Sequence, residues 1–233
     1  MRLLAFDTST EHLSIALALD GRVFTHAGAG GAQASHTLIP AILALLQQAG
    51  TALDALDAIV FGQGPGSFTG LRTACAVAQG LAFGARGGAG LPVLPVPTLL
   101  AVAEEARAAQ GCARVIATLD ARMDEVYTAA CAWSAAQQRW ALQGELHLLA
   151  PEAVQVPAGW TLAGNAAAVH GARLAPGAAQ VAALPTATAL LRLAPVLLAA
   201  GQAVAADAAL PLYVRDKVAQ TTAERAARKE QAA

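Results

Sequence analysis

Short apolar runs separated by polar turns fill the first half of the chain and predict β-strands. They cover residues 2–6, 12–19, 22–26, 57–61 and 92–96. Asp20-Gly21, between the second and third runs, is a strong two-residue hairpin signal. Apolar positions at helical spacing, together with capping residues, predict helices over 35–49, 67–84 and 98–110. The first half therefore has the predicted order β-β-β-α-β-α-β-α.

The second half repeats this order more weakly. Strands are predicted over 114–119, 125–133, 140–149 and 160–163 and near residue 181, with a short helix to about Leu174 and a longer helix over 186–200. An internal repeat of this length predicts a duplicated α/β fold. We divide the chain into a first lobe (1–110), a second lobe (111–217) and a charged C-terminal tail (218–233).

Residues 60–72 form the most distinctive stretch, in which a buried strand enters a glycine-proline turn and then a helix. Ser67 or Thr69 can cap that helix. The small residues of the helix recur every four positions and line one face, at Gly70, Ala74, Ala78 and Ala82. We interpret this face as a packing surface that lets a second backbone come close.

The glycine turn itself has two interpretations. Free amides at a strand-to-helix turn can bind phosphate, because the helix dipole also favours an anion there. However, the turn has neither the GxxxxGK[S/T] pattern nor a GxGxxG in a dinucleotide-binding context. The alternative is a tight turn with close packing, so the turn alone is weak support for a nucleotide.

Composition narrows the function classes. A formal net charge of −1 gives no global basic field, so RNA contact requires a local patch or a partner. Three cysteines without a CxxC pair fit a reducing compartment. The few apolar residues before Asp7 are too short for a signal peptide, and no apolar run is long enough to span a membrane. We expect a soluble cytoplasmic protein.

Candidate chemical groups are few, and each has a structural alternative. Asp7 can orient phosphate or a metal-bound water, or bond its own backbone two residues on. Asp120 and Asp124 can share a divalent cation with Asp7 across a cleft, or pair with Arg122. Arg72 can bind an anion or a partner's carboxylate, or be an ordinary surface arginine. No histidine pair has i, i+4 spacing, and we predict no catalytic residue and no metal site.

Four motifs occur in the order found in the bacterial TsaB (YeaZ) family, which the chain resembles over nearly its whole length: Asp7–Thr10, Gly64–Arg72, Asp120–Tyr127 and Tyr213–Lys217. The resemblance implies a two-lobed fold of the actin/Hsp70/sugar-kinase type (ASKHA). It also implies a non-catalytic partner of TsaD in making threonylcarbamoyladenosine (t6A) at position 37 of tRNA. A TsaE-like ATPase in the same complex, tRNA contact through the complex and docking by the first lobe are further implications.

This sequence departs from the active relatives of that family in two loops. Ser9 stands where a phosphate-binding loop has glycine, so we interpret Asp7, Thr8, Ser9 and Thr10 as a vestigial phosphate loop. The glycine cluster on the adenosine side is reduced to Gly164-Asn165. We therefore expect no cofactor beyond weak or vestigial nucleotide binding.

Two hypotheses about function follow. In the first, the protein is a scaffold that docks on a TsaD-like subunit with helix 36–49 and the glycine-turn helix, and forms a homodimer when alone. The residues assigned to this interface are Gly64, Pro65, Gly66, Ser67, Phe68, Thr69, Gly70, Leu71, Arg72, Ala74, Cys75 and Ala78. In the second, it is an ATP-dependent transferase or kinase acting in the cleft between the lobes. A peptidase is less favoured because no nucleophile or zinc ligand set is recognisable. The tail residues Arg225, Arg228 and Lys229 are an RNA-facing element or a solvated face.

Overall fold

The structure, a computed structural model, describes residues 1–215. The predicted tail, its basic cluster and the last two residues of the Tyr213–Lys217 motif lie outside these residues. The strands are β1 Leu3–Asp7, β2 His12–Leu19, β3 Arg22–Ala29, β4 Ala58–Gly64, β5 Val93–Pro97, β6 Arg114–Arg122, β7 Glu125–Ser134, β8 Arg139–Leu142, β9 His147–Leu149, β10 Thr161–Gly164 and β11 Gln180–Ala182. The helices are α1 Ala34–Ala49, α2 Phe68–Gly84, α3 Thr98–Gln110, α4 Ala166–His170 and α5 Ala187–Ala199.

The first five strands form one sheet in the order β3-β2-β1-β4-β5. β1, β2 and β3 are antiparallel, whereas β4 and β5 run parallel to β1. Asp20 and Gly21 both have positive φ, as a tight two-residue hairpin requires. The predicted order of the first half is confirmed.

The second sheet has the order β11-β10-β6-β7-β8, with β9 also paired to β7. β6 and β7 form an antiparallel hairpin, and β10 and β11 run parallel to β6, as β4 and β5 do beside β1. The copy differs from the prediction in one place, because the strand expected over 140–149 is two strands, β8 and β9. As in the predicted order, no α-helix lies between β9 and β10, where the counterpart of α1 would fall. The duplicated α/β architecture is confirmed, with one helix missing from the second copy.

Helices α3 and α5 lie between the two sheets and join the lobes. α3 contacts β4 and β6, while α5 contacts β1, β2 and β4. A single apolar cluster therefore runs from the first sheet through both helices into the second, and includes Leu94, Leu99, Val115 and Leu190. The chain then returns to the first sheet, where Val204 bridges to Val93. The lobes share a core, and the division at residue 110 stays a prediction.

A buried carboxylate fastens these joining helices. Glu104 is 1% exposed and accepts hydrogen bonds from Arg107 on its own helix, Arg192 on α5 and Trp140 on β8, each at 2.9 Å. Burial alone would raise the pKa of Glu104, but the hydrogen bonds from these three partners and the charge of Arg107 outweigh burial and lower it. The ionised carboxylate thus holds α3, α5 and the second sheet together at neutral pH.

The small-residue face of α2 packs on the protein's own sheet, so its prediction as a contact with another polypeptide is wrong. Buried residues of this helix are Gly70, Leu71, Ala74, Cys75, Ala78 and Ala82. Ala74, Cys75, Ala78 and Ala82 belong to the same apolar cluster as Phe6 of β1 and Phe61 of β4. Small side chains here let the helix approach the strands closely. Among the other predicted interface residues, Gly64 and Pro65 are buried, Gly66 and Ser67 are half-buried, and Phe68, Thr69 and Arg72 are exposed.

Candidate functional site

The loop after β1 turns its polar groups into the first lobe. Asp7, Thr8 and Ser9 are buried. The Thr8 hydroxyl donates to the carbonyl of Gly70 at 2.7 Å, and the Ser9 hydroxyl and amide donate to Asp7 Oδ1 at 2.6 and 2.9 Å. The carbonyl of Ser9 accepts from the Ser67 amide at 2.7 Å. The hydroxyls that the sequence suggested for phosphate thus bond to the loop's own surroundings.

Three glycines spaced four residues apart make this closure possible. A Cβ atom at Gly62 would overlap Asp7 Oδ2, one at Gly66 would overlap the Ser9 carbonyl, and one at Gly70 would overlap the Thr8 carbonyl. The glycine turn and the first turn of α2 therefore lie backbone against backbone with the β1 loop. Ser67 caps α2, since its side chain accepts from the Gly70 amide. In this structure the turn serves close packing, the second of its two interpretations.

Asp7 is a buried carboxyl whose charge is only partly compensated by hydrogen bonds. Burial raises the pKa of Asp7 from 3.8 to about 6, although hydrogen bonds from the Ser9 side chain and backbone partly oppose the shift. Within the described residues its Oδ2 atom has no hydrogen-bond partner. The ionised form of Asp7 is therefore penalised on folding.

We expect Asp7→Asn to remove this penalty. The unfolded carboxyl ionises near pH 3.8 and the folded one near pH 6, so wild-type stability falls as pH rises through this interval and stays reduced above it. The asparagine remains neutral and its oxygen can still accept from Ser9. Urea unfolding should show the variant gaining about 2 kcal/mol relative to wild type between about pH 4.5 and about pH 8. The exposed carboxylate of Asp20, changed to Asn, is the control. A difference between Asp7→Asn and wild type that is constant with pH would contradict the assignment.

A cleft of about 490 Å³ lies between the lobes. Its walls come from Ser9–Glu11, Gly66–Thr69, Leu119–Met123, Tyr127, Asn165, Val169 and Arg215, among others. Arg122 of the second lobe forms an ion pair with Glu11 of the first across this cleft. This ion pair therefore connects the two sides of the cleft.

The two acidic residues considered for a metal in the second lobe, Asp120 and Asp124, are paired within that lobe. Asp120 lies 3.2 Å from His170 and 3.4 Å from Arg122, and its amide donates to Asn165 at 2.9 Å. Asp124 forms an ion pair with Arg173 at 2.7 Å. Asp7 lies behind Ser9 and does not line the cleft. The hypothesis of a metal shared by Asp7 and Asp120 is therefore not supported, and residues 1–215 contain no cluster of three or more His, Cys, Asp or Glu that could hold a metal ion.

The segment after α5 runs along α2 and reaches the second lobe at the cleft rim. The Ala209 carbonyl accepts from Gln79 at 2.8 Å, and the Leu212 amide donates to the Gln63 carbonyl at 2.7 Å. Arg215 then donates to the Ala121 carbonyl at 2.9 Å and forms an ion pair with Glu125 at 2.7 Å. Residues 209–215, which we call the strap, therefore connect α2 to the turn between β6 and β7.

Helices α1 and α2 lie side by side on the first sheet and carry exposed apolar residues. The sequence predicted that both helices take part in an interface, but it assigned the buried side of α2 to that interface. Ile39 and Leu43 of α1 are 43% and 55% exposed, and Phe83 of α2 is 73% exposed. The small exposed residues Ala76 and Gly80 share a face of α2 with Phe83. We use the name outer helix face for these five exposed residues of the two neighbouring helices together with Arg72. The α2 residues among these five line a shallow groove with Ala206 and Asp207.

The sequence and the fold match one group of proteins. A family model described as TsaD, tRNA N6-adenosine threonylcarbamoyltransferase, matches residues 29–230. The tRNA threonylcarbamoyladenosine biosynthesis protein TsaB of Escherichia coli K12 is 36% identical over 230 residues, which cover 94% of this chain and 96% of that protein. The chain belongs to the TsaB (YeaZ) family. TsaB of Haemophilus influenzae is 46% identical over 129 residues, covering 54% of this chain and 52% of that relative.

The solved structure of YeaZ from Pseudomonas aeruginosa has the same fold. It superimposes with a TM-score of 0.83 at 43% identity and covers 91% of this chain and 99% of YeaZ. The two-lobed ASKHA-type fold expected from the resemblance is thereby confirmed. Residues of all four TsaB-family motifs line the cleft or its rim, the last of them described as far as Arg215. No helix within residues 1–215 is both long and apolar enough to span a bilayer.

Proposed function

We propose that this protein is a non-catalytic accessory subunit in tRNA t6A synthesis, and that its outer helix face docks on a TsaD-like catalytic subunit. The names of the relatives support the pathway, since those proteins are called tRNA threonylcarbamoyladenosine biosynthesis proteins. Docking would hold the catalytic subunit in its competent state through contacts that differ between its states. The TsaE-like ATPase and tRNA would meet this subunit within the same complex in the cytoplasm.

The observation that carries the proposal is the composition of the outer helix face. α1 contains no Asp, Glu, Lys or Arg, and α2 contains a single one, Arg72. Exposed helices normally carry charges of both signs, whereas the centre of a protein interface is depleted of charge and rich in aromatic and apolar groups. Ile39, Leu43 and Phe83 are large apolar residues that stay partly exposed to water, at 43%, 55% and 73%. Such a patch favours association, and in the absence of the catalytic subunit it would favour a homodimer.

The closed β1 loop supports a non-catalytic role without a resident nucleotide. Thr8 and Ser9 already donate their hydroxyl protons to Gly70 and Asp7, and both are buried. A phosphate would have to displace these bonds and open the contact between the loop and the glycine turn. The same packing disfavours the alternative of an ATP-dependent transferase or kinase acting in the cleft.

Reconstitution tests the proposal. The TsaD-like and TsaE-like proteins of the same organism are combined with tRNA, ATP and threonylcarbamoyl-adenylate, with and without this chain, and t6A is measured by mass spectrometry of nucleosides. We expect product to depend on this chain, to saturate when it equals the TsaD-like subunit, and to be absent with this chain alone. Modification or ATP hydrolysis by this chain alone, lost in Asp7→Ala, would establish the enzyme alternative.

A further inference from the structure

We infer that Arg72 is the ionic anchor of the outer helix face and binds a carboxylate of the TsaD-like subunit. This inference rests on the proposed function and names one contact within it. Arg72 is exposed at the N-terminal end of the face that continues through Ala76, Gly80 and Phe83.

Two aromatic rings fix the orientation of the Arg72 guanidinium. Its central carbon lies 3.9 Å from the ring centroid of Phe68, so the group stacks on that ring. Its Nε donates to the Tyr213 hydroxyl at 3.0 Å, and the two rings are 5.5 Å apart. Tyr213 belongs to the strap, so the strap and the first turn of α2 together hold this side chain. A guanidinium oriented before binding loses little conformational freedom when it meets a ligand.

The two terminal amino groups of Arg72 are the donors that we assign to the partner's carboxylate. Within residues 1–215 no carboxylate lies within ion-pair distance of Arg72, and the same holds for Arg22, Arg86, Arg114 and Arg139. The six arginines that pair with an acid there are Arg2, Arg107, Arg122, Arg173, Arg192 and Arg215. The Nε of Arg72 is used by Tyr213, which leaves the planar pair of terminal amino groups. That geometry matches a carboxylate, which accepts two parallel hydrogen bonds.

The lack of other cations on α1 and α2 favours a protein carboxylate over an RNA phosphate as the ligand of Arg72. RNA binding draws its affinity from several cations that contact successive phosphates. α1 and α2 offer no cation other than Arg72, so this face cannot follow a phosphate backbone. A single guanidinium on an apolar surface instead fits one acidic side chain of a protein partner. Once desolvated in the interface, the pair would be sensitive to loss of either member.

Isothermal titration with the purified TsaD-like subunit tests this inference. We expect Arg72→Ala to weaken binding by about 20-fold or more, the effect of losing a central arginine contact. Arg72→Lys should be nearly as weak, because lysine keeps the charge but loses the paired donors and the ring stacking. Tyr213→Phe should weaken binding by about threefold through lost orientation. The wild-type affinity should also fall more steeply with added salt than that of Arg72→Ala.

Arg22 provides a matched control. Its guanidinium carbon lies 4.8 Å from the Phe24 ring centroid on β3, an edge strand that packs on α1. Arg22→Ala should bind within about twofold of wild type. Thermal unfolding of each variant confirms that it is folded. Arg72→Glu should bind the unchanged partner weakly. Acidic residues of the partner are then changed to arginine one at a time, and Arg72→Glu should regain affinity only for the partner variant at the residue that pairs with Arg72.

Several outcomes would overturn the inference, and they separate it from the proposed function. If Arg72→Ala binds like wild type while Leu43→Asp does not bind, the anchor is wrong and the docking face stands. If Arg72→Ala keeps its affinity for the TsaD-like subunit but loses affinity for tRNA, the ligand is a phosphate. If Arg72→Lys binds like wild type, charge alone suffices and the paired contact is wrong. Failure of the wild type to bind the TsaD-like subunit would remove the proposed function itself.

Discussion

Leu43→Asp combined with Phe83→Asp should abolish the complex with the TsaD-like subunit and, with it, t6A formation. Both side chains protrude from the outer helix face, at 55% and 73% exposure. Burying each in an interface is worth about 1.5–3 kcal/mol, and an aspartate placed there must be desolvated as well. We therefore expect a loss of affinity of about 1,000-fold or more, measured by isothermal titration, and loss of modification in the reconstituted reaction.

Val23 supplies the matched control for this experiment. It is 56% exposed, like Leu43, but it pairs across the strands with Ala18, which packs in the apolar cluster of α3 and α5 on the other side of the sheet from α1 and α2. Val23→Asp should leave binding within about twofold of wild type. The double variant should unfold at a temperature close to that of wild type, since neither side chain belongs to the core. Full binding by a folded double variant would show that the partner docks elsewhere.

Gly70→Ala should destabilise the protein by about 3 kcal/mol, even though alanine normally stabilises a helix relative to glycine by about 0.5–1 kcal/mol. The reversal of sign comes from the contact of α2 with the β1 loop. A Cβ atom at this position would overlap the Thr8 carbonyl, which is backbone and cannot move aside without opening the loop. Chemical denaturation of the isolated chain measures the change.

Gly80 in the same helix is the control for Gly70. It is exposed, and a Cβ atom there would have no heavy atom within 4 Å. Gly80→Ala should therefore show the ordinary helix gain of about 0.5–1 kcal/mol. The two Gly→Ala changes would then alter the free energy of unfolding in opposite directions. A change in the same direction for both would mean that the β1 loop does not contact α2 as closely as described.

Local patterns in the sequence predicted most of the fold. The hairpin at Asp20-Gly21, the end of α1 at Gly50 and the bounds of α3 each follow from turn or capping chemistry within a few residues. The repeat of strand and helix order predicted the duplication. Residues 151–159 have neither helical nor strand periodicity, so no helix was predicted there, and the structure has only a short 3-10 turn at Pro151–Ala153.

The direction of a helix face was harder to predict than the face itself. The small residues of α2 were correctly placed on one side, but periodicity does not say whether that side meets the protein's own sheet or another chain. A usable signal was present in α1, where apolar residues cover too wide an arc for one buried face. Leu38 and Ile42 are buried, whereas their neighbours Ile39 and Leu43 are exposed. The absence of charge from α1 was a second signal for the outer surface.

The closed state of the β1 loop could not be predicted from local sequence. Thr8 bonds to Gly70, which is 62 positions away, and the contact exists because the parallel pairing of β1 and β4 places the two turns together. The four-residue spacing of Gly62, Gly66 and Gly70 becomes meaningful once that pairing is known. Composition identified hydroxyl groups in this loop but not what they bond to.

Hydrogen–deuterium exchange of this chain with and without the TsaD-like subunit tests the central claim most directly. Docking on the outer helix face predicts slower exchange in peptides that cover 35–47 and 69–83, with the second lobe unchanged. Protection confined to the cleft walls around 119–123 and 165–170, with α1 and α2 unchanged, would contradict it.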